Sequence, residues 1–126
     1  MNFPDNLKYT REHEWLREEE SEGVIGITAF AQKELGDIVY IDIDTGGETL
    51  EAGERFGTVE AVKAVSDLLM PIAGKVFAVN DVLETAPETV NKDPYGEGWM
   101  IRIQLTDPAG LDGLMTAAEY EASIKQ

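Results

Sequence analysis

The chain of 126 residues contains no cysteine. Disulfide frameworks, thiolate zinc sites and cysteine nucleophiles are excluded together, and nothing marks a redox compartment. Basic residues are scarce: ten Lys and Arg stand against twenty-five Asp and Glu, a formal charge of −15. So acidic a surface repels phosphate backbones and anionic membranes, which disfavours nucleic acid and membrane partners. It favours salt-sensitive docking to proteins with basic surfaces. No run approaches the ~20 apolar residues of a membrane span. The opening MNFPDNLKYTREHEW has neither the apolar core of a signal peptide nor the arginine and serine of a transit sequence, so a cytoplasmic location is expected. The apolar fraction of 43% is ordinary for a folded protein, and the length fits one domain over residues 1–126.

What is present is a succession of short alternating runs. HEWLREE and VIGIT read as a hairpin whose turn lies in Ser21-Glu22-Gly23. Thr28 is placed to cap a short helix, AFAQKEL, ending at Gly36. DIVYIDI alternates, with Ile38, Tyr40 and Asp42 on one face and Val39, Ile41 and Ile43 on the other. Thr45-Gly46-Gly47 marks a turn, and EAGERFGTVEAV is a further strand. VSDLLMP and GKVFAVN are strands joined across Pro71 to Gly74, and WMIRIQL, Trp99 to Leu105, is the last strand. Between them DVLETAPETVNKDPYGEG is rich in turn formers, with one or two helical turns. TAAEYEASIK closes the chain as an amphipathic helix, about 116–125, docking through Ala118, Tyr120 and Ile124.

GDIVYI from Gly36 and GKVFAV from Gly74 form a faint internal repeat. Two such β-units fit two sheets related by a pseudo-two-fold and packed face to face. The expected fold is mainly β, a sandwich-like barrel with short flanking helices and a C-terminal helix.

The segment GTVEAVKAVSDLLMPIAG poses a chemical question. Lys63 interrupts an apolar run, between Ala61-Val62 and Ala64-Val65, and no other basic residue occurs between Arg55 and Lys75. If RFGTVEAV and AVSDLLM pair antiparallel, Val62-Lys63-Ala64 is a hairpin tip. Valine is unusual there, because tight turns favour Gly, Asn or Asp. An ordinary solvated lysine is the plain reading of such a residue. The apolar setting on a stiff hairpin fits covalent attachment of a prosthetic arm better. The stem supplies reach, and the hairpin supplies a fixed shape for a modifying enzyme. A free amine of pKa near about 10.4 needs no activation in the resting protein. A Schiff-base lysine needs a desolvated amine in a pocket, and no pocket-forming set flanks Lys63 in sequence.

The residues around this lysine, VEAVKAVSDLLMPIAGKVFAVN, resemble the lipoyl-attachment region of the glycine cleavage system H protein family. The resemblance continues through YTREHEWL, GITAFAQKELGDIVYIDI, AGERFG, VNKDPYGEGWMIRI and LTDPAGLDGLM, in the family's order and spacing. Biotin carriers usually place methionines on both sides of their lysine, and acyltransferase lipoyl domains an aspartate before it; here Val62 and Ala64 flank Lys63. Ala61 departs from the serine common in the family.

The resemblance implies a barrel-sandwich hybrid of the lipoyl- and biotinyl-carrier kind, with lipoate amide-linked to Lys63 and no catalytic side chain. At ~1.5 Å per bond, such an arm would reach on the order of 15 Å from the backbone. It implies three enzymes as partners: glycine decarboxylase (P protein), aminomethyltransferase (T protein) and dihydrolipoyl dehydrogenase (L protein). A lipoate ligase, or a lipoyl/octanoyl transferase, would load the arm. The rival reading is a lipoyl relay or scaffold, with the same modified lysine but no part in glycine turnover.

Residue by residue, the resemblance also places the loaded arm in a cleft of His13, Glu14 and Asp67, the two carboxylates pairing with a cationic amine. Without it, His13 and Glu14 are strand residues beside Trp15, and Asp67 is a solvated carboxylate. Glu12-His13-Glu14 is no metal motif, because adjacent strand residues point to opposite faces. Gly96-Glu97-Gly98 lacks the helix and lysine of a phosphate loop, and Ser21, Ser66 and Ser123 lack any hydrolase motif.

Overall fold

Alternation sets the first long hairpin. In a computed structural model describing residues 2–125, β2 (Glu14–Glu19) and β3 (Glu22–Ile27) pair antiparallel, Glu14 opposite Ile27 and Glu19 opposite Glu22. The turn is therefore Glu20-Ser21, just ahead of the expected Ser21-Glu22-Gly23. Glu20 takes the positive φ (58°) that a two-residue hairpin turn demands. Glycine matters instead at Gly26, where a Cβ would stand 2.7 Å from the Trp15 ring. The indole of Trp15 lies over the bare backbone of the opposite strand.

β1 (Lys8–Tyr9), β9 (Ile101–Leu105), β8 (Gly74–Val79) and β5 (Thr49–Leu50) extend this hairpin into a six-stranded antiparallel sheet, order β1-β2-β3-β9-β8-β5. β4 (Ile38–Asp42), β6 (Arg55–Ala61) and β7 (Val65–Leu69) make a second antiparallel sheet, order β4-β6-β7. Leu16, Ile25, Val76, Ile101 and Ile103 of the first sheet share one buried core with Ile38, Ile41, Phe56, Val59 and Leu68 of the second. Each contributes roughly 1.5–3 kcal/mol by leaving water. The fold is mainly β, two antiparallel sheets with short helices, as the alternating runs lead one to expect.

Strict alternation fails in β4. A bulge between Ile38 and Tyr40 turns Val39 and Tyr40 outward, both about half exposed, and returns Ile41 to the core face beside Ile38. Ile38 and Ile41 thus share the inner face, where a period of two had separated them. The second copy of the repeat carries its irregularity at the matching place, between Val76 and Ala78, with Phe77 turned out. GDIVYI and GKVFAV are alike in backbone as well as in sequence.

α1 (Ala29–Leu35) starts where Thr28 accepts the Ala31 N–H and stops at Gly36, φ 81°. α2 (Val82–Thr85) and α3 (Thr89–Lys92) are single turns in the expected turn-rich segment. A 3-10 helix (Pro108–Gly113) leads to α4 (Ala117–Ile124), where Thr116 and Glu119 form a reciprocal cap. With Thr116 as cap, the docked stripe is Ala117, Tyr120 and Ile124; Ala118, expected on that face, is exposed. Tyr120 stacks on Tyr9, ring centroids 4.9 Å apart, with Phe3 edge-on at 5.3 Å. This aromatic cluster seats α4 against β1. No described helix is long and apolar enough to cross a membrane.

Candidate functional site

β6 and β7 meet at the tip Val62-Lys63-Ala64. The Ala61 N–H donates to the Ala64 carbonyl at 2.8 Å, and the Val62 N–H to the Asp37 carbonyl at 3.0 Å, tying the tip to the start of β4. None of the three tip residues has a positive φ, so the turn needs no glycine and β-branched Val62 is tolerated. Lys63 is exposed. Its stem lies on the end of α1: Cδ and Cε are 3.4 Å from where a Cβ at Gly36 would be. Gly36 therefore ends the helix in a conformation that suits glycine and also gives the stem a flat bed.

Residues Ala31, Glu34 and Leu35, on one face of α1 at i, i+3 and i+4, line a cavity of about 160 Å³. The same cavity is lined by His13, Glu14 and Asp67, so the three residues singled out by resemblance do come together. Glu12, Ser66 and the apolar Ile27, Val59 and Leu68 complete it. Four carboxylates and, among the described residues, no lysine or arginine line this space. Such a lining suits an apolar chain that ends in a cation. Among the described residues no three His, Asp or Glu groups converge as metal ligands.

Glu12, His13 and Glu14 line the same cavity, against the expectation that neighbours face opposite ways. β2 begins only at Glu14, and His13 adopts φ 76°, a left-handed conformation that abolishes the alternation. Backbone bonds hold it there: His13 N–H to the Thr10 carbonyl at 3.1 Å and Thr28 N–H to the His13 carbonyl at 3.0 Å.

The two carboxylates assigned to the cleft differ sharply. Asp67 is exposed on the edge strand β7. Glu14 is only 2% exposed, and its carboxyl joins the two sheets. The Thr10 hydroxyl donates to Oε1 at 2.8 Å, and the Leu69 N–H, on β7, donates to Oε2 at 3.3 Å. Burial outweighs these bonds and pushes the Glu14 carboxyl up to about 7. His13 is half-buried, with Nδ1 2.8 Å from the Tyr120 hydroxyl and its ring 4.9 Å from that of Phe30. Burial lowers its pKa against the pull of Glu12 and Glu34, so it is neutral near neutral pH.

The family described as glycine cleavage H-protein matches residues 7–126. The chain belongs to this family. A glycine cleavage system H protein of Bacteroides fragilis is 57% identical over 124 residues, 98% of each chain. One from Anaeromyxobacter sp. (strain K) is 54% identical over 126 residues, all of this chain and 98% of the relative. The crystal structure of a glycine cleavage system H protein from Mycobacterium marinum superposes with a TM-score of 0.88 at 35% identity, covering 98% of this chain and 100% of the other. H proteins are lipoate-carrying components of the glycine cleavage system and act as carriers, not catalysts. Sequence reasoning missed Glu12, Glu34 and the apolar cavity residues; the i, i+3, i+4 face of AFAQKEL was the available signal for the α1 wall.

Proposed function

We propose that Lys63 carries lipoate in amide linkage, and that the arm shuttles the aminomethyl group of glycine among glycine decarboxylase, aminomethyltransferase and dihydrolipoyl dehydrogenase. The observation that supports this most is the pairing of an exposed lysine on a rigid tip with a cavity rich in carboxylates. The lysine's stem lies on Gly36, directly after Leu35 of the cavity wall. When bound at Lys63, lipoate supplies a disulfide that is reduced as cargo is taken up. The rest falls to the chain's own residues. Glu14 and Asp67 hold the cargo's ammonium; the Glu14 carboxyl, raised by burial to about 7, gives up its proton as the cation arrives and then holds it more tightly because water screens it less. Ile27, Leu35, Val59 and Leu68 take the apolar stem and exclude water from the cargo. Val62 and Val65, 73% and 68% exposed beside the lysine, give partner enzymes an apolar feature to read within an acidic surface.

The whole chain, residues 1–126, acts in this reading as one carrier domain in the cytoplasm. It is loaded by a lipoate ligase or a lipoyl/octanoyl transferase and has no nucleic acid or membrane partner. Intact mass after co-expression with a lipoate ligase tests the attachment: the expected gain is one lipoyl group. A protein that stays unmodified with a competent ligase overturns it. Supplying the lipoylated protein to glycine decarboxylase then separates carrier from relay. Exchange of labelled carbon dioxide into glycine is expected, and a lipoylated but inert protein would favour the relay.

A further inference from the structure

The hydroxyl of Tyr120 sits between two elements that line the cavity. It is 2.8 Å from His13 Nδ1 and 2.8 Å from Thr28 Oγ1, and both Tyr120 and Thr28 are fully buried. Thr28 caps α1, which carries Ala31, Glu34 and Leu35 into the lining, and His13 lines the same cavity from the other element. Counting protons gives the bonds a direction. Thr28 Oγ1 already accepts the Ala31 N–H at 3.1 Å. Among the described residues, the acceptor paired with its own proton is Tyr120 Oη. Thr28 therefore donates to Tyr120, and the single Tyr120 proton goes to His13 Nδ1. Burial pushes the Tyr120 hydroxyl up to about 12, so it keeps that proton to donate. The reverse direction would leave the Thr28 proton buried without an acceptor.

We propose that Tyr120, oriented by Thr28, is a positioning residue that holds His13 as the neutral Nε2–H tautomer in the lining of the arm cavity. A cationic His13 would compete with the cargo's ammonium for Glu14 and Asp67 and repel it; a neutral ring leaves both carboxylates to the cargo. The charged groups around His13 are Glu12 on its own segment and Glu34 on α1, with Glu14 and Asp67 across the cavity. Arg11 lines a neighbouring space that also touches His13. Glu12 and Glu34 favour the charged ring, burial opposes them more strongly, and the hydroxyl chain adds a donor where a protonated ring would need an acceptor. The tautomer stands on the bond count alone, whereas its consequence for cargo rests on the carrier reading above.

His13 is the sole histidine, so a single imidazole reports the outcome in the full, unlipoylated chain. Nitrogen–proton correlation spectra are expected to show the Nε2–H form and a titration midpoint below 6.5. Tyr120→Phe keeps the stack on Tyr9 and removes only the hydroxyl. It should yield mixed tautomers and shift the midpoint upward. Thr28→Val should do the same, and Thr28→Ser should restore the native pattern; this pair decides the question even if the Phe variant fails to fold. An Nδ1–H ring in the native protein, or a pattern unmoved by both Tyr120→Phe and Thr28→Val, overturns the proposal. In the lipoylated protein, Tyr120→Phe should shorten the lifetime of bound cargo. An unchanged lifetime beside a changed tautomer overturns the cargo half. Failure of the native protein to take cargo at all would overturn the carrier reading and leave the tautomer standing.

Discussion

The hairpin tip and the cavity beside it break the usual pattern of burial in opposite directions. At the tip Val62 and Val65 are 73% and 68% exposed, while Val24, Val59, Val76 and Val90 are at most 1% exposed elsewhere. In the cavity the chain does the reverse and buries a glutamate to 2%. Each departure is unfavourable in the isolated protein. The difference teaches what each region awaits: exposed valine gains by meeting a macromolecule, and a buried carboxyl gains by meeting a cation. In the proposed function one end faces partners and the other faces cargo, and the Lys63 stem lying on Gly36 connects them.

The comparison breaks most completely at the lysine. Lys63→Arg should abolish lipoylation in intact-mass measurements while leaving the fold unchanged, because the residue is exposed. A variant that still gains the lipoyl mass would place the arm on another lysine. Next come the carboxylates. Glu14→Gln with Asp67→Asn should shorten the lifetime of bound cargo by roughly tenfold or more, the worth of one charge-assisted hydrogen bond. Glu14→Gln alone should account for most of it. Equal effects from the two single variants would erase the distinction between the buried and the exposed carboxylate.

The same carboxyl makes stability depend on pH. The folded state raises the Glu14 carboxyl from its ordinary 4.5 to about 7, so it binds this proton more tightly than the unfolded chain does. Its contribution is fully present below the unfolded value and is lost as pH rises through the folded one. The loss is on the order of 3 kcal/mol. Urea unfolding at about pH 5 and about pH 8 should show this decline, and Glu14→Gln should flatten it. A decline that persists in the variant would assign it to another group. The smallest effect belongs to the tip. Val62→Ser with Val65→Ser should leave stability within about 0.5 kcal/mol. The same pair should raise the KM for lipoate ligase roughly threefold through lost apolar contact.

Much of the scaffold was legible before folding. Thr28 before AFAQKEL and Gly36 after it specify a helix by capping alone, and the structure places both caps there. The Lys63 tip followed from two alternating runs too close together to pair in any other way. The misses have local causes. β1 and β5 are two residues each, too short for a period to register. The bulge at Val39 inserts one residue into an otherwise clean alternation, and nothing in IVYID marks it. His13 takes a left-handed backbone without being glycine, so a strand reading extended through it. Of the cleft, resemblance named His13, Glu14 and Asp67, and the i, i+3, i+4 face of AFAQKEL offered Glu34, but Glu12 in the turn before β2 and Tyr120 on the docked face of α4 carried no signal that tied them to it.

Composition, periodicity and motif order were enough for the two-sheet pattern, the exposed lysine and the family. These depend on neighbours within a strand or turn, where spacing along the chain equals spacing in the fold. Tertiary structure alone decided that the Glu14 carboxyl meets the Leu69 N–H across 55 positions, and that His13 meets Tyr120 across 107. Contacts so distant along the chain leave no local period, and it is burial at those contacts that raises the pKa of the Glu14 carboxyl and lowers that of the His13 ring.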